Sequence, residues 1–448
     1  MRHIVSVAAA ALLVAAGCSG SGASPPGSTA GLPAILRART SPIKHVVFII
    51  QENRSFNNLF MDYPGALTQN YGYDQNGTKI ALHSQRLNQN WDLNHSSTGF
   101  FAACDGQGSL PGTDCKMDGW NGEGGGGGQP KNFAYAYVPQ KEVAPYWNMA
   151  RQYVLADHMF PSNLDGSFIA HQFAVAGYAS SGVDYPTTTW GCEGGPSDTI
   201  KTLTKQRTYG PSISMCFTNP TIAGEADTAG VTWHFYTGAL YGDGNLWNAY
   251  ASDSAVYNGP DWKADVISPP SRFLTDIGAG RLSQITWITP TGGNSDHPGF
   301  VGNGGPAWVA SLVNAIGTSS FWKSTAIFIM WDDPGGWFDP VKPPHKDYDG
   351  FGFRVPLIVI SPYAKQGYVT HVQYETASVL RFMEDNFGLA PLAASDARAH
   401  DPNGDALDYT QAPRTFTKIA GAKPNAYWIR EDRLSAHRAL PKALIGSD

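Results

Sequence analysis

The most constraining feature of this chain is a pair of apolar segments that each lead directly into oxygen-bearing side chains: Glu52 and Asn53 after residues 45–50, and Asp332 and Asp333 after residues 326–330. Short, continuously apolar segments of this kind are typical of strands buried in a parallel sheet. Ligands of open α/β sheets bind beyond the carboxyl ends of the strands, so these side chains would meet at one edge. Grouped carboxylates repel each other unless a cation lies between them. The pattern therefore predicts an α/β protein with a metal site at the sheet edge.

Further strand-like and helix-like segments alternate along the chain. Apolar runs at 231–236, 285–288 and 355–360 end at turn signals, and helix-like segments cover 307–316 and 376–386. Gly388 is a suitable C-terminal stop for the second of these helices. The alternation predicts a mostly parallel central sheet covered by helices on both faces.

Residues 61–135 break this alternation, because they are polar and include the run Gly124 to Gly128. We expect them to form a loop-rich insertion over the site, within a single domain of residues 43–448. The formal net charge of -6 argues against binding to nucleic acid or to membranes through a polybasic surface.

The first 18 residues have the pattern of an export signal. Arg2 and His3 precede an apolar run, residues 4–16, that is shorter than a typical membrane-spanning helix. Residues 13–18 resemble a bacterial lipobox in which Cys18 is lipidated, although Ala15 stands where Leu is usual; plain secretion is the alternative. Residues 19–42 are expected to be a flexible linker. We therefore expect an exported protein, either a periplasmic or cell-surface lipoprotein or a secreted one, with membrane contact through the lipid anchor if Cys18 is lipidated.

Four cysteines remain beyond the signal: Cys104, Cys115, Cys192 and Cys216. An even number in an exported protein indicates two disulfides. Proximity in the sequence favours Cys104–Cys115 and Cys192–Cys216, although four cysteines allow three connectivities.

Three further side chains have the chemistry of a reacting site. Gly166 would allow a tight turn that presents the Ser167 hydroxyl, and a hydroxyl on a metal could attack phosphorus as an alkoxide. Ser167 could equally be a helix N-cap, as Asn53 could be at the first strand end. His95 and His297 could each donate a proton, although an isolated loop histidine is more often a surface residue.

Taken together, these segments resemble the bacterial phosphoesterase family that contains phospholipases C and a respiratory-burst-inhibiting acid phosphatase. The resemblance covers roughly residues 43–400. It is carried by short motifs in a fixed order: Glu52-Asn53-Arg54-Ser55-Phe56, Asp92 with His95, Met117-Asp118-Gly119, Gly166-Ser167, Ser295-Asp296-His297-Pro298, Trp331-Asp332-Asp333-Pro334-Gly335-Gly336-Trp337 and Gly352-Phe353-Arg354-Val355-Pro356.

The resemblance implies an alkaline-phosphatase-like α/β core and a role for each motif. Glu52, Asn53, Asp332 and Asp333 would hold one divalent ion, Ca²⁺, Mg²⁺, Mn²⁺ or Zn²⁺, and Ser167 would be a nucleophile that also touches it. His95 and His297 would surround the phosphoryl group, one of them as proton donor. We place Asp118, Asp296 and His171 among the substrate-binding residues; His171 lies four residues after Ser167, on the same face of a following helix.

Three positions depart from the family pattern: Asn57 in place of Asp, Phe338-Asp339-Pro340-Val341 in place of Tyr-Asp-His-Val, and Glu375-Thr376 in place of Asp-His. They leave the predicted metal ligands intact and bear on substrate choice and pH preference. We expect a metal-dependent phosphoesterase acting on a phospholipid or a small phosphate ester. The alternatives are a sulfate or phosphonate esterase on the same core, and a surface lipoprotein that binds a ligand or glycan without chemistry.

Overall fold

The computed structural model describes residues 41–124, 128–185, 191–240, 242–243, 247–300 and 304–437. The predicted signal peptide, Cys18 and residues 19–40 of the predicted linker lie outside these ranges and stay predictions, as does the single-domain organisation of residues 43–448. No helix in the described ranges combines the length and the apolar character needed to cross a bilayer.

The described ranges contain both strands and helices, as predicted for an α/β protein. The strands are β1 (His45–Gln51), β2 (Tyr71–Tyr73), β3 (Lys79–Ala81), β4 (His83–Ser84), β5 (Ala136–Tyr137), β6 (Val154–Ala156), β7 (Met159–Phe160), β8 (Gly182–Val183), β9 (Thr199–Leu203), β10 (Tyr209–Ser214), β11 (Trp233–Tyr236), β12 (Val266–Ile267), β13 (Ile285–Ile288), β14 (Thr325–Trp331), β15 (Leu357–Ile360), β16 (Tyr368–Thr370) and β17 (Tyr374–Glu375). The α-helices are α1 (Phe56–Phe60), α2 (Ser97–Cys104), α3 (Ala144–Gln152), α4 (Ser167–Ala176), α5 (Ile222–Ala229), α6 (Ser254–Asn258), α7 (Asp261–Ala264), α8 (Arg272–Gly278), α9 (Gly305–Gly317), α10 (Thr376–Phe387), α11 (Ala394–Arg398) and α12 (Asn425–Ser435).

The central sheet has eight strands in the order β12-β11-β13-β1-β14-β15-β6-β16. Only β15 runs against its neighbours, pairing antiparallel with both β14 and β6. The prediction of a mostly parallel sheet is confirmed. The predicted strands and the two predicted helices are also present, and α10 ends at Gly388 with a left-handed φ of 70°.

Helices cover both faces of the sheet. On β14, Phe328 packs against Phe382 of α10, with ring centroids 4.9 Å apart. Trp331, three residues further on, packs against Tyr146 of α3 at 4.8 Å. Residues an odd number apart on a strand point to opposite faces, so α10 and α3 lie on different sides. Every residue of β14 is buried, as expected for a strand covered twice.

Residues 61–135 contain short strands, α2 and a 3-10 helix, and they pack on the core through a second apolar cluster. This cluster joins the segment to the loops that follow β14, through buried side chains that include Leu93, Trp120, Phe133, Phe338 and Phe353. Disulfides link Cys104 to Cys115 and Cys192 to Cys216, the pairings favoured by proximity in the sequence. Two disulfides are in keeping with an exported protein.

A buried acid within α10 makes the stability of the fold depend on pH. Glu384 is 2% exposed and lies beside Asp396, whose carboxylate accepts hydrogen bonds from the backbone N–H groups of Leu392, Ala393 and Ala397. Burial, and then the adjacent Asp396 carboxyl, raise the pKa of Glu384 from 4.5 to about 10. Because the folded protein holds this proton more tightly than the unfolded chain does, stability at this site is fully present below pH ~4.5 and is lost as the pH rises toward 10.

We predict that Glu384→Gln removes this penalty, because the amide stays neutral at every pH. Between pH 5 and pH 8, the free energy of unfolding should fall by about 1–3 kcal/mol more in the wild type than in the variant. Urea denaturation at several pH values measures the difference. Glu225→Gln, the same change on the more exposed α5, should follow the wild type. Parallel pH profiles for Glu384→Gln and the wild type would contradict the prediction.

Candidate active site

The register of β1 and β14 brings the two predicted ligand pairs together. The strands are parallel, with Gln51 opposite Trp331, so residues 52–53 and 332–333 leave the sheet side by side. The Asp332 N–H donates to the Gln51 carbonyl (2.9 Å), and the Asn53 N–H donates to Asp332 Oδ1 (2.9 Å). Asn53 has a positive φ of 57°, which asparagine tolerates better than most residues. The cap of α1 is Ser55, so the capping alternative for Asn53 is wrong.

Three carboxylates are buried at this edge. Glu52, Asp332 and Asp333 are each 0–1% exposed. Within the described ranges, Asp332 Oδ2 accepts no hydrogen bond, and its nearest basic atom is His171 Nε2 at 3.8 Å. A single imidazole offsets at most one of three buried negative charges, whereas a divalent cation offsets two of them and coordinates their oxygens. The donor set therefore fits a metal ion.

Ser167 presents its hydroxyl to the same cluster. It is the first residue of α4, and the N-cap position is Gly166, so the N-cap alternative for Ser167 is wrong. Its Oγ donates to Asp333 Oδ2 (3.1 Å) and accepts from Asn53 Nδ2 (3.2 Å). The hydroxyl is thus held by two residues that come from different strand ends.

His171 lies one helical turn after Ser167 and points into the carboxylate cluster. Its Nε2 is 3.1 Å from Glu52 Oε1 and 3.8 Å from Asp332 Oδ2. These three residues form one of the groups in the described ranges whose atoms could hold a metal ion. The structure therefore places His171 among the metal-ligating candidates, whereas the sequence suggested substrate binding. The i, i+4 spacing from Ser167 was the available signal.

The two histidines predicted to be catalytic lie at the edge of the cluster, with ring centroids 6.0 Å apart. His95 Nδ1 is 2.7 Å from the Leu93 carbonyl, which can only accept, so Nδ1 carries the hydrogen. Its Nε2 then accepts from Asn53 Nδ2 at 2.7 Å. His297 Nδ1 likewise donates to the Pro298 carbonyl (2.6 Å). Asp92, 3.9 Å from His95, joins both histidines in a second group of possible metal ligands.

Asp296, predicted to bind substrate, makes its contacts with protein side chains. Its Oδ2 accepts from Tyr146 OH (2.8 Å) and Trp331 Nε1 (3.0 Å), and its carbonyl accepts from the buried Arg54. Burial raises the pKa of Asp296 to about 6, against the opposing effects of Tyr146, Arg54 and Trp331. These contacts tie the His297 loop to α3 and β14, and the substrate-binding role of Asp296 stays a prediction.

Asp118 also lies apart from the cluster. It precedes the 3-10 helix Gly119–Gly122 and interacts with Asp105 and Lys116, next to the Cys104–Cys115 disulfide. Burial, and then contact with Asp105, raise its pKa. These neighbours belong to the 61–135 segment and include none of the residues around Ser167, and the substrate-binding role of Asp118 stays a prediction.

The fold and this edge together define an α/β protein with a buried, acidic, serine-containing site. The sequence model of the Phosphoesterase family matches residues 43–390. The chain belongs to this family and is a phosphoester hydrolase.

Two known proteins of similar sequence agree with this assignment. Phospholipase C B of Mycobacterium tuberculosis is 25% identical over 465 residues, covering 90% of this chain and 83% of that protein. Non-hemolytic phospholipase C of Pseudomonas aeruginosa is 26% identical over 402 residues, covering 78% and 54% of the two chains. Among solved structures, a protein in the alkaline phosphatase superfamily from Vibrio parahaemolyticus matches with a TM-score of 0.37 and 10% identity, over 79% of this chain and 69% of that one.

The turn after Asp333 yields a test of the site's packing. Gly335 has a φ of 63°, and a Cβ there would lie 2.1 Å from the Asn53 carbonyl oxygen. We predict that Gly335→Ala lowers the free energy of unfolding by about 2–4 kcal/mol, the sum of backbone strain and overpacking, and lowers ester hydrolysis at least tenfold by displacing Asn53. Chemical denaturation and an aryl phosphate assay measure the two effects.

Gly280→Ala is the matched control. Its φ is 73°, and a Cβ there would meet no atom within 4 Å. This variant should lose only the strain component, about 1–2 kcal/mol, with its activity retained. Equal losses in the two variants would show that contact with Asn53 is not what requires glycine at position 335.

Proposed function

We propose that the protein is a metal-dependent phosphoesterase in which Ser167 is the nucleophile. The observation that carries the proposal is the position of Ser167 Oγ, within 3.2 Å of both Asn53 Nδ2 and Asp333 Oδ2, beside the buried carboxylates of Glu52 and Asp332. Structural packing alone gives no reason for three buried acids around one hydroxyl.

The contacts of Ser167 support its role in the first step. Its O–H points to Asp333 Oδ2, which is placed to accept the proton as Oγ forms a bond to phosphorus. The Asn53 amide donates to Ser167 Oγ and fixes the direction of the hydroxyl. The P–O bond to the leaving alcohol breaks as the phosphoserine forms. Water then attacks phosphorus and gives a proton to His297, the bond from phosphorus to Ser167 Oγ breaks, and Asp333 returns its proton to Ser167.

We propose that His297 donates the proton that the leaving alcohol takes up. The Nε2 of His95 accepts from Asn53, which makes His95 a positioning residue for that amide. The Nδ1–H of His297 is held by the Pro298 carbonyl, so its Nε2 is the nitrogen that exchanges a proton with a substrate.

Glu52, Asn53, Asp332, Asp333 and the Ser167 hydroxyl would hold the metal ion, and the position of His171 adds one imidazole to this set. When bound, the ion would withdraw charge from the phosphoryl group and favour the alkoxide form of the serine. Carboxylates and an amide suit Mg²⁺, Ca²⁺ or Mn²⁺, and the imidazole extends the choice to Zn²⁺.

The names of the relatives support a substrate class. Two of them are named phospholipases C, so we propose a phospholipid or a smaller phosphate ester as substrate, cleaved to an alcohol and a phosphorylated head group. The disulfides and the sequence before residue 43 support an exported enzyme.

We predict that Ser167→Ala lowers kcat for an aryl phosphate ester by about 10³-fold or more, because the covalent step is lost. Bound metal should fall only partly, since the other oxygen donors remain. Ser254→Ala is the control, because Ser254 is also the first residue of a helix and follows its N-cap, Asp253. Full activity in Ser167→Ala, measured by phosphate ester turnover, would refute the nucleophile assignment.

The same assay separates the competing functions. Matched aryl phosphate, sulfate and phosphonate esters, each with and without a chelator, should show phosphate ester cleavage that the chelator abolishes. Faster sulfate or phosphonate cleavage would favour the related esterases. Binding without turnover of any ester would favour the non-catalytic lipoprotein.

A further inference from the structure

A small cavity lies between the 61–135 segment and the turn that follows Asp333. Its walls include His95, Pro334 and Gly336 from the site, and the rings of Phe100, Trp120 and Phe353. The rings form a continuous wall, with Phe353 centred 4.5 Å from Trp120 and 4.8 Å from Phe100.

Glu123 is the one acidic side chain among the lining residues of this cavity. It is 6% exposed, and neither of its carboxylate oxygens has a hydrogen-bond partner in the part of the chain that the structure describes. A buried carboxylate without partners is strongly unfavourable, and such a group in a folded protein calls for a ligand, an ion or a proton. Burial raises the pKa of Glu123 well above its usual value, and His95 opposes this rise.

His95 is the basic side chain among the lining residues, and it is held by contacts outside the cavity. Its Nδ1 donates to the Leu93 carbonyl, and its Nε2 lies 2.7 Å from the Asn53 amide nitrogen. A cation beside Glu123 would satisfy the two carboxylate oxygens that accept no hydrogen bond in the described ranges.

The cavity adjoins the nucleophile through two contacts. Ser167 Oγ is 3.2 Å from Asn53 Nδ2, which is 2.7 Å from His95 Nε2, and the His95 ring lines the cavity. A head group on a phosphorus atom at Ser167 would have to pass His95 to reach Glu123.

We propose that this cavity binds the primary ammonium group of the substrate's head group, with Glu123 as its counter-ion and the Phe100, Trp120 and Phe353 rings as its wall. This inference rests on the proposed phosphoesterase function and specifies which head group the enzyme selects. The two carboxylate oxygens accept N–H donors, and aromatic faces attract a cation electrostatically.

The size of the cavity decides which ammonium enters. About 10 Å³ is open to a water-sized group, which is room for one such group. A primary ammonium has about the size of water and fits with the rings in place. A trimethylammonium group needs the rings to move apart. An aminoethyl head group is therefore preferred over a choline head group.

The test uses three 4-nitrophenyl phosphodiesters that differ only in their second group: 2-aminoethyl, 2-hydroxyethyl and choline. The wild type should cleave the aminoethyl ester with a kcat/KM at least about tenfold above that of either other ester. In Glu123→Gln the ratio of aminoethyl to hydroxyethyl rates should fall toward one. Glu225→Gln, a distant charge change of the same kind, should keep the wild-type ratio.

A binding experiment separates this inference from the proposed function. Calorimetric titration of Ser167→Ala with phosphoethanolamine should give a Kd about tenfold lower than that of Ser167→Ala/Glu123→Gln. Cleavage of none of the esters would contradict the proposed function, and the calorimetry would still decide the role of Glu123. Equal cleavage of charged and neutral head groups, a preference for choline, or equal binding by the two Ser167→Ala proteins would overturn the ammonium site.

Discussion

The parallel, in-register pairing of β1 with β14 is the constraint on which the site depends. It sets Glu52 and Asn53 beside Asp332 and Asp333, although about 280 residues separate the two pairs in the sequence. The Asn53–Asp332 hydrogen bond then locks the two strand ends together. A shift of one residue in this register would turn the side chains of the shifted strand to the opposite face, so the apolar packing of both strands indirectly holds the ligand pairs in place.

Much of the fold was readable from the sequence, because its core strands are short, continuously apolar and bounded by turn signals. The segments at β1, β13 and β14 were recognised in this way, and α10 was recognised by its period and by Gly388. The meeting of the ligand pairs followed from the rule for strand ends. The antiparallel direction of β15 was not readable, since an apolar run carries no information about strand direction.

The environments of single side chains were harder to predict, because they depend on contacts between distant segments. His171 and Asp296 were both expected to bind substrate, yet His171 faces Glu52 and Asp296 faces Tyr146 and Trp331. Glu123 carried no sequence signal, since its burial arises only when the 61–135 segment packs on the loop after β14. Local pattern identifies residue types, whereas tertiary packing decides which of them face the site.

The most direct test of the account is anomalous diffraction from crystals grown with Mn²⁺. The account predicts a strong anomalous peak at coordination distance, about 2.0–2.6 Å, from oxygens of Glu52, Asp332 and Asp333, next to the Ser167 hydroxyl. The peak should vanish in Asp332→Asn crystals if that carboxylate is needed to hold the ion. An enzyme that hydrolyses phosphate esters with Mn²⁺ bound elsewhere, and none at this edge, would contradict it.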